Sequence, residues 1–277
     1  MISVVISSYQ PKYFTALEKN IAETVGIPYE IIKIDNPGLM GICEAYNKGA
    51  LQAAYPFLLF LHEDVEFVTT DWGKILVEVL STQNIGVVGL AGSNYVPNVP
   101  SPFWAITENN FLHIIQLNGQ ESVHTFELIE DKAVFSLDGV FLGVTKLVFE
   151  EFKFSKSLHG FHGYDLDFSI RVASKYINLV TSKISAKHFS TGNANKEWLE
   201  NVILARNFYK IPSSQKTIVK NEIKAYDDFL NYLIKFKFSK SRIVFLAIKY
   251  LNPIKLRFWG AKFAISRIKN IISHYHE

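Results

Sequence analysis

Phe57–Phe67 reads FLLFLHEDVEF: five apolar residues, then His62, Glu63 and Asp64 side by side, then apolar residues again. An unbroken apolar run of this length is what a strand buried on both faces requires, and the three polar side chains mark where it leaves the core. Three other runs share this character: ISVVIS (2–7), YEIIKI (29–34) and IGVVGL (85–90). Between them, residues 13–25, 41–54 and 71–82 place apolar side chains at helical spacing, for example Ile75 with Val79 and Leu76 with Leu80. Strand alternating with helix predicts an α/β fold, a mixed but mainly parallel sheet flanked by helices. Such sheets hold ligands at the carboxyl ends of their strands, so His62, Glu63 and Asp64 belong to the rim where a ligand sits.

The 277 residues suffice for one large domain or a domain with an appendage, and 48% hydrophobic content excludes a disordered chain. A single cysteine, Cys43, and a start directly in a strand-like run lead to the expectation of a cytoplasmic protein. No apolar run approaches the eighteen residues of a membrane span. The net charge of +3 is unevenly divided: residues 235–277 hold ten Lys or Arg against one acid, a local +9, and the remainder is acidic.

The middle, 93–145, is rich in Asn, Pro, Ser and Gly and then becomes strand-like in HTFELIE (124–130) and KAVFSLDGVFLGVT (132–145), which predicts loops and antiparallel strands added to the parallel core. Helical patterns return at 165–176, 197–209 and 216–236. Residues 238–276 repeat apolar positions between Lys and Arg, with a break expected at Asn252 and Pro253. The chain divides on this reading into a domain over 1–212 and a basic, amphipathic helical extension over 213–277. Such an extension either packs on the body or lies on an anionic membrane surface, anchored by Phe258 and Trp259. No segment resembles a base-reading module, so no nucleic-acid partner is expected.

Three clusters carry chemistry. Asp64, beside an acid and an imidazole at a strand end, suits a hard divalent cation that binds phosphate oxygens, or else a helix cap or a solvated loop. In FHGYDLDFSIR (161–171), Asp165 falls in the first turn of a helix, where it is either a helix cap or a reactive carboxylate; Asp167 cannot share its face and pairs with Arg171 at i, i+4. His188, in KISAKHFSTG (183–192), follows a strand-like run and precedes polar residues, so it either faces a site or serves the structure.

Taken in order, VVISSY, IIKIDNP, GICEAYNKG, FLLFLHEDV, LDGVFLGVTK, FHGYDLDFSIR and KHFSTG resemble a GT-A glycosyltransferase of the family 2 type over about residues 1–210. More narrowly they resemble the branch typified by the glycosyltransferase-like protein of streptomycin biosynthesis, where an HED-like sequence stands in place of Asp-X-Asp. The resemblance implies that Asp35 contacts the nucleotide base and that Ser7, Ser8 and Tyr9 lie beside the nucleoside. It carries over Asn47, but Tyr46 replaces the family's basic residue. It implies nucleotide or donor contacts for Glu63, Asp138 and Gly139, and a cation, Mn2+ or Mg2+, held by His62, Asp64 and His188. It makes Asp165 the general base, with Tyr164 where the family has Glu. The implied activity is inverting transfer from a nucleoside diphosphate sugar, UDP-linked by preference, to a glycan or lipid-linked acceptor. Two other readings stand beside it: a non-catalytic sugar-nucleotide-binding or scaffold protein on the same fold, and a nucleotidyltransferase.

Overall fold

The computed structural model describes residues 1–118, 121–190, 192 and 194–275; Thr191 of the last motif lies outside the described residues. The chain opens with β1 (Ile2–Ser8), α1 (Pro11–Thr24), β2 (Tyr29–Asp35), α2 (Ile42–Gln52) and β3 (Phe57–Leu61). Then come β4 (Val65–Phe67), α3 (Trp72–Leu80), β5 (Ile85–Gly89), β6 (Ala91–Ser93), β7 (Asn110–Leu112), β8 (Ile114–Asn118) and β9 (Glu121–Phe126). After β10 (Lys132–Val134), β11 (Ser136–Leu137) and β12 (Phe141–Thr145) follow α4 (Lys146–Phe152), α5 (Tyr164–Val172), β13 (Ile177–Val180), β14 (Ala186–His188) and α6 (Lys196–Ala205). The C-terminal helices are α7 (Val219–Lys235), α8 (Lys240–Tyr250) and α9 (Pro253–His274).

Seven strands form the central sheet in the order β10-β13-β5-β12-β3-β1-β2. Strand β1 pairs in parallel with β2 on one side and β3 on the other, and β12 runs antiparallel between β3 and β5. Chain order therefore reverses at β1, and the carboxyl ends of β1 and β3 flank the position where sheets of this kind bind ligands. Along β1, Val4 and Ile6 pack with α1 and α3 through Leu17, Ile21, Trp72 and Leu76, whereas Val5 packs with the opposite layer through Ile42, Phe149 and Phe168. Burial on both faces explains why these strands are apolar without alternation.

The run 132–145, which reads as continuous strand, divides into β10, β11 and β12, because Asp138–Val140 turn beside the end of β3 rather than continue a ladder. HTFELIE leaves the strand conformation after Phe126. Two small sheets, β4-β14-β8-β9 and β11-β6-β7, sit at the carboxyl-end side. Helix α8 ends before Asn252, whose side chain caps α9 by accepting from the Lys255 amide at 3.2 Å, with Pro253 as the first helical residue. Phe238 between α7 and α8, with Ile243, Leu246 and Leu256 of the C-terminal helices, belongs to the same apolar cluster as Phe60 and Phe168 of the body. Buried Glu222 on α7 accepts from Tyr95 Oη at 2.9 Å and the Asn98 amide at 3.0 Å, a further tie between the two.

Candidate active site

Two strand registers assemble the site. His188 on β14 stands opposite Val65 of β4 and beside Gln116 of β8, and the Phe189 amide donates to the Asp64 carbonyl at 3.0 Å. A histidine far down the chain thereby reaches the end of β3. His62 donates its amide to Val140 at 3.1 Å, which holds Asp138 and Gly139 next to the same rim.

Asp64 Oδ1 lies 3.9 Å from His62 Nδ1 and 3.6 Å from His188 Nε2, and one ligand atom from each of the three residues falls within 4.8 Å of the others. His188 Nε2 is buried, with Asp64 Oδ1 beyond hydrogen-bond distance and no other partner. A buried polar nitrogen left bare is costly, so its aim at a carboxylate and a second imidazole fits a cation site. Burial opposes ionisation of Asp64, but the neighbouring His188 and His62 rings outweigh it and hold the carboxyl below the ordinary aspartate value. Burial lowers His62 more than nearby Asp64 raises it, so that ring is biased toward its neutral, ligating form.

From His62 a chain of contacts leads to Asp165. His62 Nε2 lies 2.8 Å from Tyr164 Oη, Tyr164 donates to the Gly139 carbonyl at 3.2 Å, and the Gly139 amide donates to Asp165 Oδ2 at 3.2 Å. Gly139 is required here, because a Cβ at that position would lie 2.0 Å from Tyr164 Oη. Helix α5 is not capped by Asp165: its N-cap is Gly163, at φ 76°, and Asp165 follows within the first turn. Burial, reinforced by the charge of Asp138, pushes the Asp165 carboxyl up to about 7. Asp167 turns to the other side, where it meets Arg171 through two hydrogen bonds of 2.9 and 2.8 Å.

Other residues singled out from the sequence lie apart from this cluster or face away. Glu63 is buried and accepts from Ser8 Oγ at 2.6 Å and from the Tyr9 and Gln10 amides, so it fixes the turn from β1 into α1. Tyr9 is exposed at that turn. Asp35 is exposed at the end of β2, paired with Lys33 at 2.6 Å, and its neighbour Asn36 bonds to Ser7 Oγ at 3.2 Å. Both ends of the Asn47 amide are taken by the Phe154 backbone. Sequence reasoning missed Gln116, which no motif surrounds, and treated Tyr164 only as a departure.

Residues 2–222 match the family described as "Glycosyltransferase like family". The chain belongs to this glycosyltransferase family. No curated protein matches its sequence. Among solved structures, the chain is similar to GalNAc-T7 crystallised with UDP, GalNAc and Mn2+, at 13% identity and a TM-score of 0.50, over 99% of this chain and 58% of that one. It therefore spans just over half the length of that relative. It is also similar to residues 1–349 of S. aureus TarS in complex with UDP, at 13% identity and a TM-score of 0.54, over 100% of this chain and 93% of that one. These likenesses establish the GT-A fold of the chain, with a C-terminal helical part.

Proposed function

We propose that this chain is an inverting, metal-dependent glycosyltransferase that moves a sugar, a hexosyl or related unit, from a nucleoside diphosphate donor, UDP-linked by preference, to a glycan or lipid-linked acceptor. The observation that carries the reading is the unbroken line of contacts from Asp64 through His62, Tyr164 and Gly139 to Asp165. The line puts a cation-ready carboxylate and an elevated carboxylate on one rim. Two enzymes of this fold captured with UDP, one of them with Mn2+, support the choice of donor and ion.

On this reading His62, Asp64 and His188 hold the cation. When bound, it offsets the negative charge that grows on the departing diphosphate. Two imidazoles and one carboxylate favour Mn2+ or another first-row ion over Mg2+, which prefers oxygen ligands. Ionised Asp165 takes the proton of the acceptor hydroxyl as its oxygen bonds to the anomeric carbon, while the bond from that carbon to the diphosphate breaks. One such displacement inverts the anomeric centre. Asp138 and Gly139 line the point where donor and acceptor meet, and Ser7, Ser8, Tyr9, Asp35, Asn47 and Glu63 form or support the nucleoside side.

We infer further that the chain belongs to the streptomycin-biosynthesis-like branch and works in bacterial surface polysaccharide synthesis, on the cytoplasmic side. Residues 1–212 carry the catalytic unit and 213–277 the extension, which rests on anionic lipid. Among the described residues no helix is long and apolar enough to cross a membrane. At the start of α9, however, Ile254, Phe258 and Trp259 are 82%, 73% and 75% exposed amid Lys255, Arg257 and Lys262. Apolar anchors ringed by cations suit a surface that is greasy below and anionic above.

The test is a panel of UDP-, GDP- and dTDP-sugars with Mn2+ and a glycan acceptor. Release of nucleoside diphosphate supports transfer. Release of pyrophosphate would indicate a nucleotidyltransferase, and binding without turnover a scaffold.

A further inference from the structure

Each imidazole of the cation cluster is gripped at the ring nitrogen that faces away from Asp64. Tyr164 has one hydroxyl proton and two acceptors within reach, the Gly139 carbonyl at 3.2 Å, which can only accept, and His62 Nε2 at 2.8 Å. Given to the carbonyl, that proton leaves the 2.8 Å contact to be made by a proton on His62 Nε2, with the Nδ1 lone pair on the side of Asp64. On the other ring, Gln116 directs its amide nitrogen to the carbonyls of Ser190 and, at 3.2 Å, His188. Its carbonyl oxygen therefore faces His188 Nδ1 at 3.2 Å and accepts from it. With the proton of the neutral His188 ring on Nδ1, the lone pair is left on Nε2, buried 3.6 Å from Asp64 Oδ1.

We infer that Tyr164 and Gln116 are positioning residues that lock the two histidines in opposite tautomers, so that Nδ1 of His62 and Nε2 of His188 both present lone pairs beside Asp64. The inference rests on the reading of this cluster as a cation site, and it gives Tyr164 a purpose at the position where the family has Glu. Groups that grip the far nitrogen of a ligating imidazole fix its orientation, and their loss commonly weakens metal binding about 10–100-fold. Gly139 belongs to the same device, since any side chain there would displace the Tyr164 hydroxyl.

The experiment uses the full chain labelled with 15N-histidine, metal-free at about pH 8, with ring protons located by two-bond 15N–1H correlation. His62 and His188 are assigned by signal loss in His62→Gln and His188→Gln. The expected spectrum has His62 protonated at Nε2 and His188 at Nδ1. In Tyr164→Phe the His62 ring becomes a mixture of forms, in Gln116→Leu the His188 ring does, and calorimetric Mn2+ binding weakens about 10–100-fold in each. Gln116→Glu, which keeps an acceptor for Nδ1–H, retains the His188 tautomer. Should Tyr164→Phe fail to fold, Gly139→Ala displaces the same hydroxyl. Wild-type His62 protonated at Nδ1, wild-type His188 protonated at Nε2, or Mn2+ affinity unchanged in both folded variants, overturns the inference. The stated tautomers in a chain with no affinity for Mn2+ would uphold the lock and refute the cation reading instead.

Discussion

The backbone amide of Gly139 donates to Oδ2 of Asp165 across 3.2 Å, tying the turn before β12 to the first turn of α5. That turn also carries Asp138, whose charge adds to burial, the larger cause, in raising the Asp165 carboxyl to about 7. A base with this value is half ionised near neutrality. Donor turnover is therefore expected to climb with pH through about 7 and level off above it, read as initial rates between about pH 5.5 and about pH 9. A profile flat across that interval would remove Asp165 from the role.

The same elevation makes a statement about stability. The folded pKa lies above the unfolded one, so the folded state holds its proton longer, and stability falls as pH rises from about 4 to about 7. Asp165→Asn is expected to stabilise the chain by about 1–3 kcal/mol at pH 8 and to gain almost nothing at pH 4. Thermal midpoints of both proteins at the two pH values check this.

Asp167, two residues on, predicts the opposite behaviour. It is fully buried, and its Arg171 partner also bonds to the carbonyls of Phe152 and Lys153 at 2.7 and 2.8 Å. Removing the carboxylate strands a guanidinium among carbonyls, so Asp167→Ala should cost about 3–5 kcal/mol in denaturant unfolding. A loss under about 1 kcal/mol would show the pair to be ornamental.

The parallel core was legible because β1, β2, β3 and β5 are short apolar runs, and burial on both faces writes itself directly into composition. The small sheets were not: β4, β7 and β14 have three residues each and owe their pairing to distant partners. For the same reason the motifs named His62, Asp64, His188 and Asp165 but not what holds them. Gln116 meets His188 through a register between β8 and β14, and Asn47 meets Phe154 across 107 positions, neither of which leaves a local pattern. Glu63 shows the reverse case, a conspicuous acid beside Asp64 that turns inward to Ser8 because alternate residues leaving a strand face opposite ways.

The C-terminal helices make two separable predictions. Truncation after residue 237 uncovers apolar residues of the main cluster, Phe229 and Leu233 among them, and should yield aggregated protein. The double substitution Phe258→Ser with Trp259→Ser changes only exposed positions, so it should leave the thermal midpoint in place. It should also reduce co-sedimentation with anionic vesicles several-fold. Equal sedimentation of mutant and wild type would count against a lipid-facing role.

The division of labour between Asp64 and Asp165 is tested most directly by single-turnover transfer in Asp165→Asn at saturating donor and Mn2+. The account predicts donor binding close to that of the wild type and a transfer rate lower by about 100- to 10,000-fold. A rate within about twofold of the wild type, with the donor still bound, would contradict it.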